Sequence, residues 1–409
     1  MPEFFNVKDI SEVLALRSNF APVEAETVPL ADSLGRVLAE DLISEENLPD
    51  FRRTIVDGFA VKASTTFGAS DGAPGFLTVA GNIAMGERPD FSIGPGEAAR
   101  IATGGMLPEG ADAAGMIEHT EAMDETAIEV YKGVAPGENV IEPGEDFAAG
   151  QTVLAAGTRL RPAEVGLLGA FGRGEVSVFR RPVVGIISTG DEVVPVEAAP
   201  GPGQVRDVNS HTLSGMLRAA GAEPITYGII PDDAPALIEA CRQAAAECHM
   251  ILLSGGSSVG TRDFTVEAIM GLEDPEILVH GIALRPGKPT ILARAGKTPV
   301  WGLPGHVVSA LVVFVAVVRP FVDRLSGANE GGERAYKIPA RLARNLSSGQ
   351  GRTEFVRVRL IPKGDELLAE PVLGKSGLLN TMVHAHGLVE IERDAEGLEK
   401  GDRVWVIPV

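Results

Sequence analysis

The sequence predicts an α/β multidomain protein. A doubly wound α/β domain is joined by a helical N-terminal domain, an inserted β-rich domain and a C-terminal β-barrel-like domain. Three observations carry this. The chain has 409 residues, more than one hydrophobic core serves, because single cores stop growing near about 250–300 residues. From Pro182 to the helix ending near Leu325, apolar runs closed by glycines alternate with helical patterns, the rhythm of a parallel sheet covered on both faces. Residues 66–144, and again those past 332, show short alternating runs split by Gly and Pro, which is how small β domains read.

Composition narrows the class. Hydrophobic residues make up 44% and charged ones 22%, a globular balance rather than a disordered one. The net charge of −20 argues against nucleic acid as the main partner, because a phosphate backbone needs a basic face. Anions can still be held by locally placed Arg, Lys and backbone N–H groups. Cys241 and Cys248 are the only cysteines, so neither a disulfide framework nor a cysteine metal motif is expected. No basic region precedes an apolar core at the start, so no signal peptide is expected. The apolar stretch Val307–Val318 falls short of the roughly 20 residues that span a bilayer and predicts a buried helix. A cytoplasmic protein without membrane contact is the expectation.

In chain order, apolar positions at Ile10, Val13, Leu14 and Leu16 predict an amphipathic helix over 9–20 with Asp9 as its cap. Residues 31–38 repeat the pattern more weakly. Asp57-Gly58 stands between apolar segments, a turn signal. Short strands follow near 76–80, 97–102 and 128–131, and the strand at Arg100-Ile101 runs into the polar turn Ala102-Thr103-Gly104. These divisions give an N-terminal domain from 1–50 and 145–180, an inserted one over 51–144, the α/β domain over 181–326, and the C-terminal one over 333–409.

Within the α/β domain, Met250-Ile251-Leu252-Leu253 is a short apolar run ended by Ser254-Gly255-Gly256-Ser257-Ser258-Val259-Gly260. Such a run predicts a buried parallel strand, and its glycines leave room for a ligand at the strand's carboxyl end. The loop matches neither G-x-G-x-x-G nor the P-loop, so no nucleotide fingerprint applies. Asp263, ahead of a helix, reads equally as an N-cap. Loops carrying Glu192, Asp232, Asp263, Lys288 and Pro304-Gly305 are each expected to follow strands and to meet at one edge. Past Gly332, strands are expected at 336–342, 354–360, 367–371, 387–391 and 403–407.

Several segments taken together resemble the MoeA family of molybdopterin molybdenumtransferases, which includes the E-domain of gephyrin. They are Val56-Asp57-Gly58-Phe59-Ala60, Arg100-Ile101-Ala102-Thr103-Gly104, Pro143-Gly144-Glu145-Asp146 and Ser188-Thr189-Gly190-Asp191-Glu192. To these add Ser254 to Gly260, Arg285-Pro286-Gly287-Lys288-Pro289 and Leu303-Pro304-Gly305-His306. The resemblance implies an elongated homodimer that inserts molybdate into adenylylated molybdopterin and releases AMP. It also implies a cleft shared between the third domain of one subunit and the second domain of its partner. This chain has His306-Val307 where the family often has Asn-Pro, Arg285 for a common lysine, and Gly281 and Ile141 at positions often basic.

The resemblance further implies catalytic roles for Asp57, Thr103, Glu192, Asp232 and Asp263, and an oxyanion pocket among Ser258, Lys288, Ser309, Arg352 and Ser376. Ser254, Gly255, Gly256, Arg285 and Pro304 complete the substrate-binding set. Carboxylates beside a phosphate attract Mg²⁺, for which Glu192, Asp232 and Asp263 are the expected ligands; helix capping is the competing account of the two aspartates. The small serines equally suit turn and helix caps. Two other readings compete: adenylyl transfer to molybdopterin, which needs only 182–325, and a gephyrin-like scaffold without catalysis. The pathway's adenylyltransferase is a candidate partner.

Overall fold

The structure, a computed structural model, describes residues 7–255, 264–329 and 336–409. It divides into two compact units, one formed by residues 41–155 and the other by the chain on either side of them.

The larger unit is built on a six-stranded sheet. Its order is Glu223–Ile230, Val183–Thr189, Met250–Ser254, Thr298–Leu303, Ile291–Ala295 and Pro275–His280. The first four strands run parallel; the last two pair antiparallel. The sheet is therefore mixed rather than wholly parallel. Every residue of Met250–Ser254 is buried, as an apolar run covered on both faces requires. One face, with Trp301, packs on Leu213, Leu217, Phe314 and Phe321. The other, with Ile251, packs on Leu237, Cys241 and Ile269. Burial pushes the Cys241 thiol up to about 12, which leaves it an inert core residue.

The apolar stretch expected as a buried helix is one: Val307–Val313 is α-helical, Phe314–Val318 forms a π-helical turn, and Arg319–Leu325 resumes the α-helix. Trp301 meets Phe321 edge-on at 5.0 Å between centroids, which locks this helix to the sheet. Among the described residues, no helix is long and apolar enough to cross a membrane.

The N-terminal segment departs from expectation. Ile10–Ala15 is helical and continues as a 3₁₀ turn through Leu16–Asn19. Residues 31–38 are not a helix; a 3₁₀ turn at Leu30–Asp32 gives way to the strand Val37–Leu38. Gly35 interrupts the pattern, and its N–H and that of Leu38 donate to Leu160 and Thr158 carbonyls. Tertiary pairing with Glu175–Phe179, which also pairs with Ala25–Pro29, overrides the weak local propensity. The N-terminal part is thus mixed rather than helical.

At the C-terminus, Thr353–Lys363, Glu366–Pro371, Ile338–Leu342, Arg403–Pro408 and Gly387–Ile391 pair in that order, and the last pairs back with the first. The result is a closed five-stranded barrel with no free edge in its ring.

The smaller unit holds a second six-stranded sheet. Its order is Ala113–Met116, Gly58–Val61, Glu97–Ile101, Gly75–Asn82, Ala127–Val130 and Thr120–Ala122. Asp57-Gly58 is not a hairpin turn here. The preceding strand Arg53–Thr54 pairs with Val140–Ile141, whereas Gly58–Val61 pairs with two other strands.

Candidate active site

The strand order places a switch point between Val183–Thr189 and Met250–Ser254, because the chain leaves these two strands in opposite directions across the sheet. Open α/β sheets bind ligands in the crevice at such a point. A cavity of ≈ 1030 Å³ lies there, lined by Thr189, Glu192, Asp207, Asn209, Ser254 and Ser309, among others.

Two glycines stand at the strand ends beside it. Gly255 has φ +117, and a Cβ there would stand 2.2 Å from the Thr189 carbonyl oxygen, so no other residue lets the two strand ends approach. Gly190 has φ +140, and a Cβ there would stand 2.8 Å from a Glu192 carboxylate oxygen. Glu192 therefore folds back over the Gly190 backbone at the mouth of the first strand.

Asp232 and Asp233 have separate tasks. Asp233 caps the helix Ala234–Glu247, accepting from the Ala236 N–H at 3.0 Å. Asp232 instead accepts a 2.7 Å hydrogen bond from the Thr189 hydroxyl, and its own N–H donates to Asp191. Glu192 and Asp232 thus flank neighbouring strand ends.

Lys288 arrives at this edge on a loop that follows a strand, as expected. It lies between Pro275–His280, which runs with the parallel strands and ends at this edge, and Ile291–Ala295, whose antiparallel course starts there. Lys288 is exposed, and Pro289 beside it lines the cavity with Pro304 and Gly305. Arg285 pairs with Glu354 at 3.3 Å. Ser309 is buried on the first turn of Val307–Val313 and faces the cavity. The Ser376 hydroxyl lies 2.9 Å from His306 Nδ1, and its carbonyl accepts from the Val308 N–H at 3.2 Å. Arg352, half-buried, immediately precedes the barrel strand Thr353–Lys363.

Gly256, Ser258 and Asp263 lie outside the described residues. Among the described residues, no three His, Cys, Asp or Glu side chains converge as a ready metal site.

In the smaller unit, Asp57 and Thr103 are brought together although 46 positions apart. Asp57 Oδ1 accepts from the Thr103 N–H at 2.7 Å and from its hydroxyl at 3.0 Å. The backbone donor first, then the hydroxyl, hold the Asp57 carboxyl below its usual range.

Sequence reasoning missed four residues of this crevice. Ser188 donates to Asp207 at 2.9 Å, and Asp207 also accepts from the Ser210 N–H. Asn209 Nδ2 donates to Ser254 Oγ at 2.6 Å and to the Gly305 carbonyl at 2.9 Å, joining two strand-end loops. Thr189, like Ser188, enters the sequence reading only as part of a motif. The available signal was position alone, since each stands at a strand's end or a helix's start.

A ligand crevice at the switch point of a doubly wound sheet, together with a closed barrel and a second β-rich unit, defines a multidomain α/β binding or catalytic protein. Comparison with known families and structures makes this specific. Residues 8–172 match the MoeA N-terminal region (domain I and II), 185–324 a probable molybdopterin binding domain, and 339–409 the MoeA C-terminal region (domain IV). The chain is 34% identical to the molybdopterin molybdenumtransferase of Bacillus subtilis, over 94% of this chain and 90% of that one. It is 31% identical to the enzyme of that name from Haemophilus influenzae, over 95% and 94%. The crystal structure of the molybdopterin biosynthesis moeA protein from Pyrococcus horikoshii superposes with a TM-score of 0.84 at 32% identity, covering 99% of this chain and 100% of that one. The chain belongs to the MoeA family, the molybdopterin molybdenumtransferases.

Proposed function

We propose that this protein inserts molybdate into adenylylated molybdopterin with release of AMP. The observation that carries the reading is the crevice at the sheet's switch point, lined by Glu192, Ser254 and Ser309, in a chain of this family.

The roles follow from the donor types. Lys288, Arg285, Arg352, Ser258, Ser309 and Ser376 supply charge and hydrogen bonds to an oxyanion, as a net charge of −20 makes necessary. Gly255, Gly256 and Pro304 are assigned to substrate binding. Glu192, Asp232 and Asp263 offer hard oxygen donors, the set Mg²⁺ prefers when it keeps several waters and takes one or two carboxylates with substrate phosphates. Bound there, Mg²⁺ supplies charge that stabilises the leaving AMP phosphate. Asp232, held by Thr189 and relieved of capping by Asp233, is oriented for that work.

Asp57 and Thr103 are assigned to the same reaction, contributed by the second copy of a homodimer. The division into 1–50 with 145–180, 51–144, 181–326 and 333–409, a cytoplasmic location and hand-over from the pathway's adenylyltransferase complete the proposal.

The test incubates the protein with adenylylated molybdopterin, Mg²⁺ and either molybdate or tungstate, and follows AMP release and metal retention on the pterin. Oxyanion-dependent AMP release with retained metal is the expected result. AMP release that ignores the oxyanion, or none at all, overturns it.

A further inference from the structure

Arg357 stands in the barrel strand Thr353–Lys363 and is only 8% exposed. Among the described residues no carboxylate pairs with it, and its Nε has no hydrogen-bond partner. The adjacent Glu354 is engaged elsewhere, with Arg285 at 3.3 Å and the Ser348 hydroxyl at 2.9 Å. Burial pulls the Arg357 pKa down, with the Glu354 charge opposing. A buried cation without a counter-charge is costly, and an apolar side chain of similar volume would serve a core better. Its presence calls for another reason.

The two contacts it does make supply one. Nη1 donates to Thr381 Oγ1 at 3.0 Å and Nη2 to the Gly374 carbonyl at 2.9 Å. Gly374 and Thr381 are the two ends of an excursion from the barrel, pinched so closely that a Cβ on Gly374 would stand 2.6 Å from Thr381 Cγ2. The guanidinium fork spans the pinch. Between these ends lie Ser376, bonded to His306 and Val308, and Gly377 and Leu379, which line the cavity.

We propose that Arg357 is a positioning residue. It clamps the base of the 374–381 excursion so that Ser376 is presented to the oxyanion beside Ser309, and it places an unneutralised positive charge behind that presentation. The inference deepens the oxyanion reading of Ser376 and rests on it.

The experiment has two arms, using the full-length protein. In the first, the apparent KM for molybdate and for adenylylated molybdopterin is measured for R357M, R357K, S376A and R357M/S376A. R357M is expected to raise the molybdate KM about tenfold, the scale of one lost charge-assisted contact, with the pterin KM nearly unchanged. R357K keeps the charge but not the fork and is expected to fall between wild type and R357M. Adding S376A to R357M should cost little more, because both remove the same group from the site. In the second arm, the His306 ring nitrogens are followed by NMR, assigned by the signal lost in H306N. R357M should move the Nδ1 resonance toward its position in S376A.

A folded R357M with unchanged molybdate KM and an unmoved His306 signal overturns the proposal, as does full independence of the two substitutions. If R357M does not fold, T381V, which removes one anchor and leaves the charge, decides: a raised molybdate KM supports it and an unchanged one overturns it. If the wild type uses no molybdate at all, the oxyanion reading fails by itself. The His306 signal then still reports whether Arg357 positions the excursion.

Discussion

The Thr189 hydroxyl donates a 2.7 Å hydrogen bond to Asp232, while the next residue, Asp233, caps the helix that follows. Two adjacent carboxylates at one strand end thus divide orientation at the crevice from helix stabilisation.

That division gives the first prediction. Asp233→Ala should cost about 1 kcal/mol, the usual price of a lost N-cap, seen as a lower thermal midpoint with AMP release per folded molecule retained. Asp232→Asn keeps the shape and the Thr189 contact but removes a charge. It should leave the midpoint nearly unchanged and slow AMP release at least about tenfold, or about 1.4 kcal/mol of transition-state stabilisation. The opposite pattern, a slow Asp233 variant and a normal Asp232 variant, would exchange the two assignments.

The smaller unit offers a pH-dependent test. Asp57 titrates below its ordinary value of 3.8 because Thr103 donates to it twice. Its contribution to stability is therefore fully present above the unfolded pKa and is lost as pH falls through the lower folded value. Thr103→Val removes the hydroxyl donor and leaves the larger, backbone one. Carboxyl NMR should show the Asp57 midpoint move up, but not all the way to 3.8. If Asp57 also serves a second copy's crevice, mixing the separately impaired Asp57→Asn and Asp232→Asn proteins should restore AMP release. No recovery from demonstrated mixed dimers would place both residues in one copy's site.

Asn209 holds two loops of the crevice together through Ser254 and Gly305. The Gly305 carbonyl can only accept, so it fixes which end of the amide faces it. Asn209→Leu leaves the buried Ser254 hydroxyl short of a donor and should destabilise the larger unit by about 1–3 kcal/mol in a urea titration. Asn209→Asp turns a carboxylate oxygen toward a carbonyl and should be worse than its near-identical size suggests. Equal stability of the Asp variant and wild type would mean the amide is not the tie.

Much of this architecture is legible in the residues. Met250–Ser254 announces a buried strand by being apolar throughout, and the barrel strands announce themselves by alternation between turns. What local pattern could not convey depends on partners far along the chain. Nothing in Asp232-Asp233 says which carboxylate caps, because the choice is made by Thr189, 43 positions away. Residues 31–38 carry a faint helical period, yet strand pairing with Glu175–Phe179 decides their form. Arg357 sits among Phe355, Val356 and Val358 and reads as an outward polar residue; it is buried in the fold and bonded to the folded-back excursion. Lys288 reaches the crevice because Pro275–His280 ends, and the antiparallel Ile291–Ala295 begins, at that edge, a property of sheet order that no short motif encodes.

Lys288 also provides the sharpest test of anion binding. It stands exposed at the crevice edge, between Gly287 and Pro289, whose neighbours hold the turn: the Thr290 hydroxyl donates to the Gly287 carbonyl at 2.6 Å, and the Lys288 carbonyl accepts from the Ile282 N–H. These contacts hold the backbone of this turn. Lys288→Ala should leave the fold intact and remove one charge-assisted partner from a dianion, for which about 1.5–3 kcal/mol is typical. That is roughly ten- to a hundredfold in apparent molybdate affinity, with pterin binding changed far less. Lys288→Arg keeps the charge but spreads it over a planar fork, so it should recover part of the loss and shift the preference between molybdate and tungstate only slightly. Raising ionic strength should weaken wild-type molybdate use more than that of the Ala variant, since screening acts on a charge the variant lacks. A collapse of pterin binding with unchanged molybdate affinity would move Lys288 from the oxyanion to the pterin phosphate.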